Sequence, residues 1–174
     1  NVRRVENPKV FVDFSSKQVK INPFGLLALG DEFFAFDNNK LYEIGLDKIE
    51  EIVTFSDTET VVSATGFEHQ DSLIFLTKSG KLIQYKQGNV TFVETADGEF
   101  HSGVTIGDWG DRIYILDPDE NQIWRYFYLP EYDVFGSANE YNADSDLKGA
   151  IDFAIDGFIY VLHKDAAIDI LYGG

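Results

Sequence analysis

Cysteine is absent from this chain of 174 residues. That excludes disulfide staples and thiolate metal sites outright. Histidine is scarce, and His69, His101 and His163 are too scattered in sequence to suggest a zinc centre. No apolar run approaches the roughly 18 residues that cross a membrane, and no secretory signal opens the chain. The first residue is Asn1, which reads as a processed product or a piece of a longer protein. Basic residues are also few: 14 Lys and Arg stand against 30 Asp and Glu, for a net charge of −16. Nucleic-acid binding needs cations that displace counterions from phosphates, so this balance argues against it. Five of the basic residues (Arg3, Arg4, Lys9, Lys17, Lys20) fall in the first twenty positions, and the C-terminal part is strongly acidic. Such an acidic surface reads first as a solubilising one and second as a face for cations or cationic partners. Helical periodicity is nearly missing too. The one helix-like stretch, "GLDKIEEI" (45–52), reads as a turn leading into a strand.

What is present is a repeat. Four stretches share one template: "GDEFFAFDNNKLYEI" (30–44), "QDSLIFLTKSGKLIQY" (70–85), "GDRIYILDPDENQIWRY" (110–126) and "IDGFIYVLHKDAAIDIL" (155–171). Each has a turn bearing Asp or Gly, an apolar run, a polar break and a second, alternating run. Phe36, Leu76 and Leu116 align at steps of 40 residues, and Leu162 follows 46 later because an insertion occupies 129–148. Before each hairpin lies a strand rich in small residues: "LLALG" (26–30), "VVSATGF" (61–67), "VTIGDW" (104–109) and "AIDFAI" (150–155). A more polar strand follows the hairpin in the first two repeats, "EEIVTF" (50–55) and "NVTFVE" (89–94), and a weaker candidate, "EYDVF" (131–135), in the third. A period near 40 residues made of short strands indicates an all-β chain folded as a β-propeller, one four-stranded blade per repeat.

A chain of this length buries roughly 70% of its unfolded surface and suits one domain. The expected domain therefore spans 1–174, with repeats at roughly 24–56, 60–95, 103–136 and 149–174. The fourth repeat stops after three strands, and a spare strand, "PKVFVDF" (8–14), precedes the first. Its alternation puts Val10, Val12 and Phe14 on one face. A terminal strand completing the last blade would close a ring of four blades and remove an exposed edge. Membership of a larger ring is the alternative.

Several residues are candidates for chemistry. In "DPDENQIWRY", Asp117, Asp119 and Asn121 alternate as at the start of a calcium loop. Counting from Asp117, however, the glycine of position 6 is Gln122 and the bidentate acid of position 12 is Tyr128. The counterparts "FDNNKL", "LTKSGKL" and "LHKDAAI" are no calcium loops either. The stretch is a hairpin turn, and calcium at Asp117, Asp119 and Asn121 is the one cofactor left open. The connection "DGEFHSG" (97–103) sets Glu99, Phe100 and His101 at a channel mouth, where His101 beside Glu99 suits acid–base chemistry. The insertion carries Tyr132, Phe135, Tyr141, Asp144 and Asp146, a mixture fit to stack on a sugar or hold a cation; its plainer reading is a longer outer strand and connector. Trp109 and Trp124 fall at core positions, and the glycosylation sequon at Asn89 lies in an expected strand. No serine-hydrolase elbow, P-loop, dinucleotide fingerprint or zinc-protease motif appears.

The stretches "AIDFAIDGFIYVLHKDAAIDILYGG" (150–174) and "GDRIYILDPDENQIWRY" (110–126) resemble blades of bacterial propellers of the NHL/PQQ-like class. They are similar in particular to propeller regions of proteins that carry a PPM-type phosphatase domain upstream. None of that phosphatase's metal-binding aspartate motifs appears here, so the resemblance implies an accessory or sensor domain, the extracytoplasmic part of a larger bacterial protein being one setting for it. Where such blades carry Asp-Gly in the second turn, this chain has Asp165-Ala166-Ala167. The leading expectation is a non-catalytic binding module for a protein, peptide or glycan, as a monomer or homo-oligomer with no transmembrane segment. The alternatives are a lyase or hydrolase with an acidic, metal-binding mouth, and a structural, oligomerising propeller fragment.

Overall fold

The computed structural model describes residues 9–13, 15, 21–46, 48–98, 100–141 and 145–172. It is all-β, and among the described residues sixteen strands form four antiparallel sheets in chain order. The first sheet is a meander of β1 (Gly25–Leu29), β2 (Glu32–Phe36), β3 (Lys40–Gly45) and β4 (Lys48–Thr54). The second repeats it with β5 (Val61–Phe67), β6 (Ser72–Thr77), β7 (Leu82–Lys86) and β8 (Asn89–Phe92). The third has β9 (Thr105–Trp109), β10 (Arg112–Asp117), β11 (Gln122–Leu129), β12 (Val134–Phe135) and β13 (Asn139–Glu140). Its outer position is split, because β12 pairs with the end of β11 and β13 with its beginning. The fourth sheet has β14 (Ala150–Ile155), β15 (Ile159–His163) and β16 (Ile168–Leu171). A turn of 3₁₀ helix, Glu68–Gln70, separates β5 from β6, and among the described residues no helix is long and apolar enough to cross a membrane.

The second strand of each sheet explains how the sheets stack. It is apolar on both faces, as a strand buried on both sides must be. Along β6, Leu73 and Phe75 join Phe34, Phe36 and Leu41 of the first sheet, whereas Ile74 and Leu76 join Ile113, Ile115 and Tyr126 of the third. Along β10 the same division recurs, with Tyr114 and Leu116 turned to Ile159, Val161 and Leu171 of the fourth sheet. Three successive apolar layers result. Each buried Leu, Ile or Phe contributes roughly 1.5–3 kcal/mol. Aromatic edges tighten the first layer: Phe36 meets Phe75 at 5.7 Å and 83°, and Phe55 meets Phe75 at 4.8 Å.

The first strands of the sheets crowd together on the inner side, which is why they carry small residues. A side chain at Gly66 would come within 3.0 Å of the Ala28 carbonyl on the neighbouring sheet, and one at Gly107 within 3.0 Å of the Phe153 ring. Polar side chains stitch these strands together. The Ser63 and Thr105 hydroxyls are 3.0 Å apart, Thr105 donates to Asp152 at 3.3 Å, and Thr65 donates to Asp108 at 2.8 Å. The inner strands surround a cavity of about 500 Å³ bordered by Leu26, Ser63, Thr105 and Asp152.

Contacts run in series, β1 to β5, β5 to β9 and β9 to β14; no comparable contact joins β14 to β1 among the described residues. Of the closing strand expected at 8–14, Pro8 and Phe14 lie outside the described residues. Residues 9–13 form no strand, and Phe11 sets its ring against Phe33 of the first sheet at 6.4 Å. Among the described residues the fourth sheet has three strands. Trp109 is not core either. It ends β9 opposite Arg112 at the mouth of a turn and is 45% exposed.

Candidate functional site

The turns between the second and third strands gather at one edge of the assembly. Asp117 ends β10, is buried, and accepts backbone N–H bonds from Asp119 and Glu120, both at 3.1 Å. Asp37 does the same for Asn39 (2.9 Å) and Lys40 (2.8 Å) in the first sheet. In the second sheet the Thr77 hydroxyl accepts from Lys81 N–H at 3.1 Å. The shared arrangement identifies "DPDEN" as a structural turn whose first Asp satisfies backbone donors. Asn121 closes that turn in the left-handed region (φ 55°), which Asn tolerates. Its amide reaches the insertion, donating to Ser145 O at 3.1 Å and accepting from Leu147 N at 2.8 Å. The insertion is thereby pinned, and Leu147 is fully buried in the third apolar layer.

Over these turns runs the connection that precedes β9. Glu99 lies outside the described residues. Phe100 packs on Tyr126 (5.0 Å) and Phe135 (6.3 Å). The His101 N–H donates to the Tyr126 hydroxyl at 2.9 Å. Burial pushes that hydroxyl's pKa up to about 12, so it stays protonated at neutral pH. The His101 ring stacks on Trp124 with centroids 3.6 Å apart and planes 11° from parallel, and its Nδ1 is 3.2 Å from Glu120. One ligand atom each from His101, Asp117 and Glu120 falls within 4.8 Å of the others. This mixed nitrogen and oxygen set suits a transition metal better than calcium, which takes oxygen ligands alone. Asp119 is exposed at the tip of the turn.

On the other side of Phe100 lies a cavity of about 460 Å³, lined by Ser79, Gly80, Lys81, Phe92, Gly98 and Phe100. Its polar wall is Ser79 and Lys81, both held from behind by Glu59. Lys81 Nζ is 2.6 Å from the buried Glu59 carboxylate, which also accepts from the Ser79 hydroxyl at 2.6 Å. The Lys81 ammonium and then the Ser79 hydroxyl hold the Glu59 carboxyl below its usual range. Lys81 Nζ is also 5.6 Å from the centre of the exposed Phe92 ring. Glu59, Lys81 and Phe92 carry no sequence motif; they come from three separate segments that only the fold unites.

The remaining candidates do not line this cavity. Tyr141 meets Tyr114 edge-on at 5.7 Å and receives Arg125 over its ring at 5.2 Å. Asp146 accepts from Lys148 N–H at 3.0 Å, and Asp144 lies outside the described residues. Tyr132 is exposed beside a groove between the second and third sheets, where Gln70, Tyr128 and Asp133 form one hydrogen-bonded group. Phe135 is core. Asn89 is exposed at the start of β8.

No family model and no curated protein matches the chain, so the resemblance to NHL/PQQ-like blades rests on its motifs alone. Solved structures do match in fold. The chain is similar to the computationally designed protein Ika4 at TM-score 0.64 and 10% identity, over 97% of this chain and all of that one. It is similar to a luciferin-regenerating enzyme at TM-score 0.62 and 11% identity, over 84% of this chain and 57% of the enzyme. An auxiliary nutrient binding protein from Bacteroides ovatus matches at TM-score 0.57 and 10% identity, over 83% of this chain and 45% of that one. The chain thus spans about half the length of these natural neighbours. They are β-propeller-like proteins, and they place this chain in the same all-β architecture.

Proposed function

We propose that the chain is a non-catalytic binding module, four propeller blades presenting their turn edge to a protein, peptide or glycan. The observation that carries this reading is the 460 Å³ cavity lined by Phe92, Phe100 and Lys81, whose ammonium is held by the buried Glu59 behind it. Its volume lies in the range of ligand pockets, and aromatic faces beside a fixed cation suit a sugar ring or an extended side chain. Lys81 is already held by Glu59, so less side-chain ordering is required of it on binding. The presence of nutrient binding proteins among the fold's neighbours supports the same reading. The test is to probe glycan and peptide arrays with the labelled chain and with Phe92→Ala. Binding to one array class, weakened at least tenfold by the substitution, supports the module. No binding, or binding indifferent to Phe92, overturns it.

A second reading, a metal-assisted lyase or hydrolase, draws on the His101, Asp117 and Glu120 cluster. Titration with zinc by calorimetry tests it: saturable binding abolished by His101→Ala supports a metal centre, and the absence of heat removes it.

A further inference from the structure

Equivalent positions in the four sheets differ sharply in exposure. Leu41, Leu82, Ile123 and Ile168 pair across the hairpin with Phe36, Leu76, Leu116 and Leu162, so they occupy one register position. The first three are 0% exposed beneath the following sheet, whereas Ile168 is 63% exposed. A second set, Phe33, Leu73, Ile113 and Ile159, lies three residues earlier on the opposite face. Leu73, Ile113 and Ile159 are at most 1% exposed beneath the preceding sheet, and Phe33 is 47% exposed. The fourth sheet therefore ends on a face of the kind that a next sheet covers, with Ile170 beside Ile168. The first sheet begins on a face of the kind that a previous one covers. Leu26, Phe33 and Ile44 floor an apolar groove of about 530 Å³ there, and Val10, Phe11 and Val12 border it while Val10 and Phe11 remain exposed.

We propose that a second copy of this chain covers both faces: the fourth sheet of each copy packs on the first sheet of the other, and two arcs close one ring of eight sheets. The contact continues an interface that the chain already makes three times internally, with the same register positions and the same apolar chemistry. One twofold operation makes two identical junctions and leaves neither face open, which a heterologous contact achieves only when the ring closes. A ring of that size is about twice this chain, and the chain overlays 45% and 57% of the length of two natural neighbours similar in fold. Contiguous exposed apolar surface on this scale otherwise marks an aggregation liability.

Light scattering coupled to gel filtration, at tens of micromolar in physiological salt, reads the result. The expected mass is twice the 19.7 kDa of one chain. Ile168→Glu and Phe33→Glu each place a charge on an exposed position, so each variant folds by circular dichroism and elutes as a monomer. An equimolar mixture of the two variants regains a dimer, because one of its two junctions then joins two unaltered faces. A simple loss of folding cannot give that recovery. A monomeric unaltered chain, an open-ended ladder of species, or a dimer that survives both substitutions overturns the proposal; the first outcome would assign the faces to closure within one chain or to further blades of a longer one.

Discussion

Tyr126 is the residue that couples the core to the candidate site, and removing its hydroxyl tests that coupling. The ring is fully buried among Ile113, Ile115 and Phe135, and Tyr126→Phe preserves all of that packing. What it deletes is the acceptor for the His101 N–H, now 2.9 Å away. A buried donor left without a partner costs about 1–3 kcal/mol. The half-buried position of His101 places the expected loss near the middle of that range, about 2 kcal/mol. For a domain of this length that is a fall in Tm of roughly 4–8 °C. Urea denaturation measures the loss, and amide exchange of residues 100–102 locates it, since the connection should open more readily while β10 keeps its protection. Tyr128→Phe is the control. Its hydroxyl contacts Gln70 and Asp133 at the surface, so its removal costs less. A Tyr126→Phe chain within about 0.5 kcal/mol of the original, or unchanged exchange at 100–102, would refute the coupling.

Three further outcomes follow from the geometry. The folded Glu59 carboxyl titrates below its unfolded value, so its stabilising contribution is complete above the unfolded pKa of about 4.3 and is lost as pH falls through the folded one. Glu59→Gln should accordingly flatten the acid limb of stability measured by urea midpoints from pH 7 to 3. Ala166 sits at φ 68°, a conformation that costs a non-glycine residue about 1–2 kcal/mol; allowing for the entropy that glycine loses, Ala166→Gly should raise the urea stability by about 0.5–1 kcal/mol. Gly107→Val pushes a side chain into the Phe153 ring and should destabilise by about 1–3 kcal/mol, with the fourth sheet losing exchange protection first.

Local chemistry made much of the fold legible. Phe36, Leu76, Leu116 and Leu162, aligned by spacing alone, occupy one register position in four sheets. The small residues of the inner strands meet the close approaches that require them. Asp117 proved to be a turn residue because its counterpart Asp37 makes the same backbone bonds. What eluded the sequence depends on how the sheets sit against one another. The angle between sheets decides whether a ring closes, and no residue pattern encodes it, so a plausible closing strand at 8–14 could be drawn where residues 9–13 form none. The cavity escaped for a related reason. Glu59, Lys81, Phe92 and Phe100 come from separate segments, and none is unusual in its own surroundings. His101 was legible as a titratable residue at a mouth, but its partners Trp124 and Glu120 belong to the next hairpin.

The serial arrangement of the sheets has a mechanical consequence. Each sheet is a meander of consecutive residues, and among the described residues its apolar layers join it to the sheets before and after it in the chain. Such a molecule behaves as a short one-dimensional array, in which stability is a sum of unit terms and nearest-neighbour couplings. Within a single chain the two central sheets are held by two couplings each and the terminal sheets by one. Opening therefore begins at the ends and travels inward, and the third sheet, carrying His101's stacking partner and flanked on both sides, lies in the part of the array that melts late.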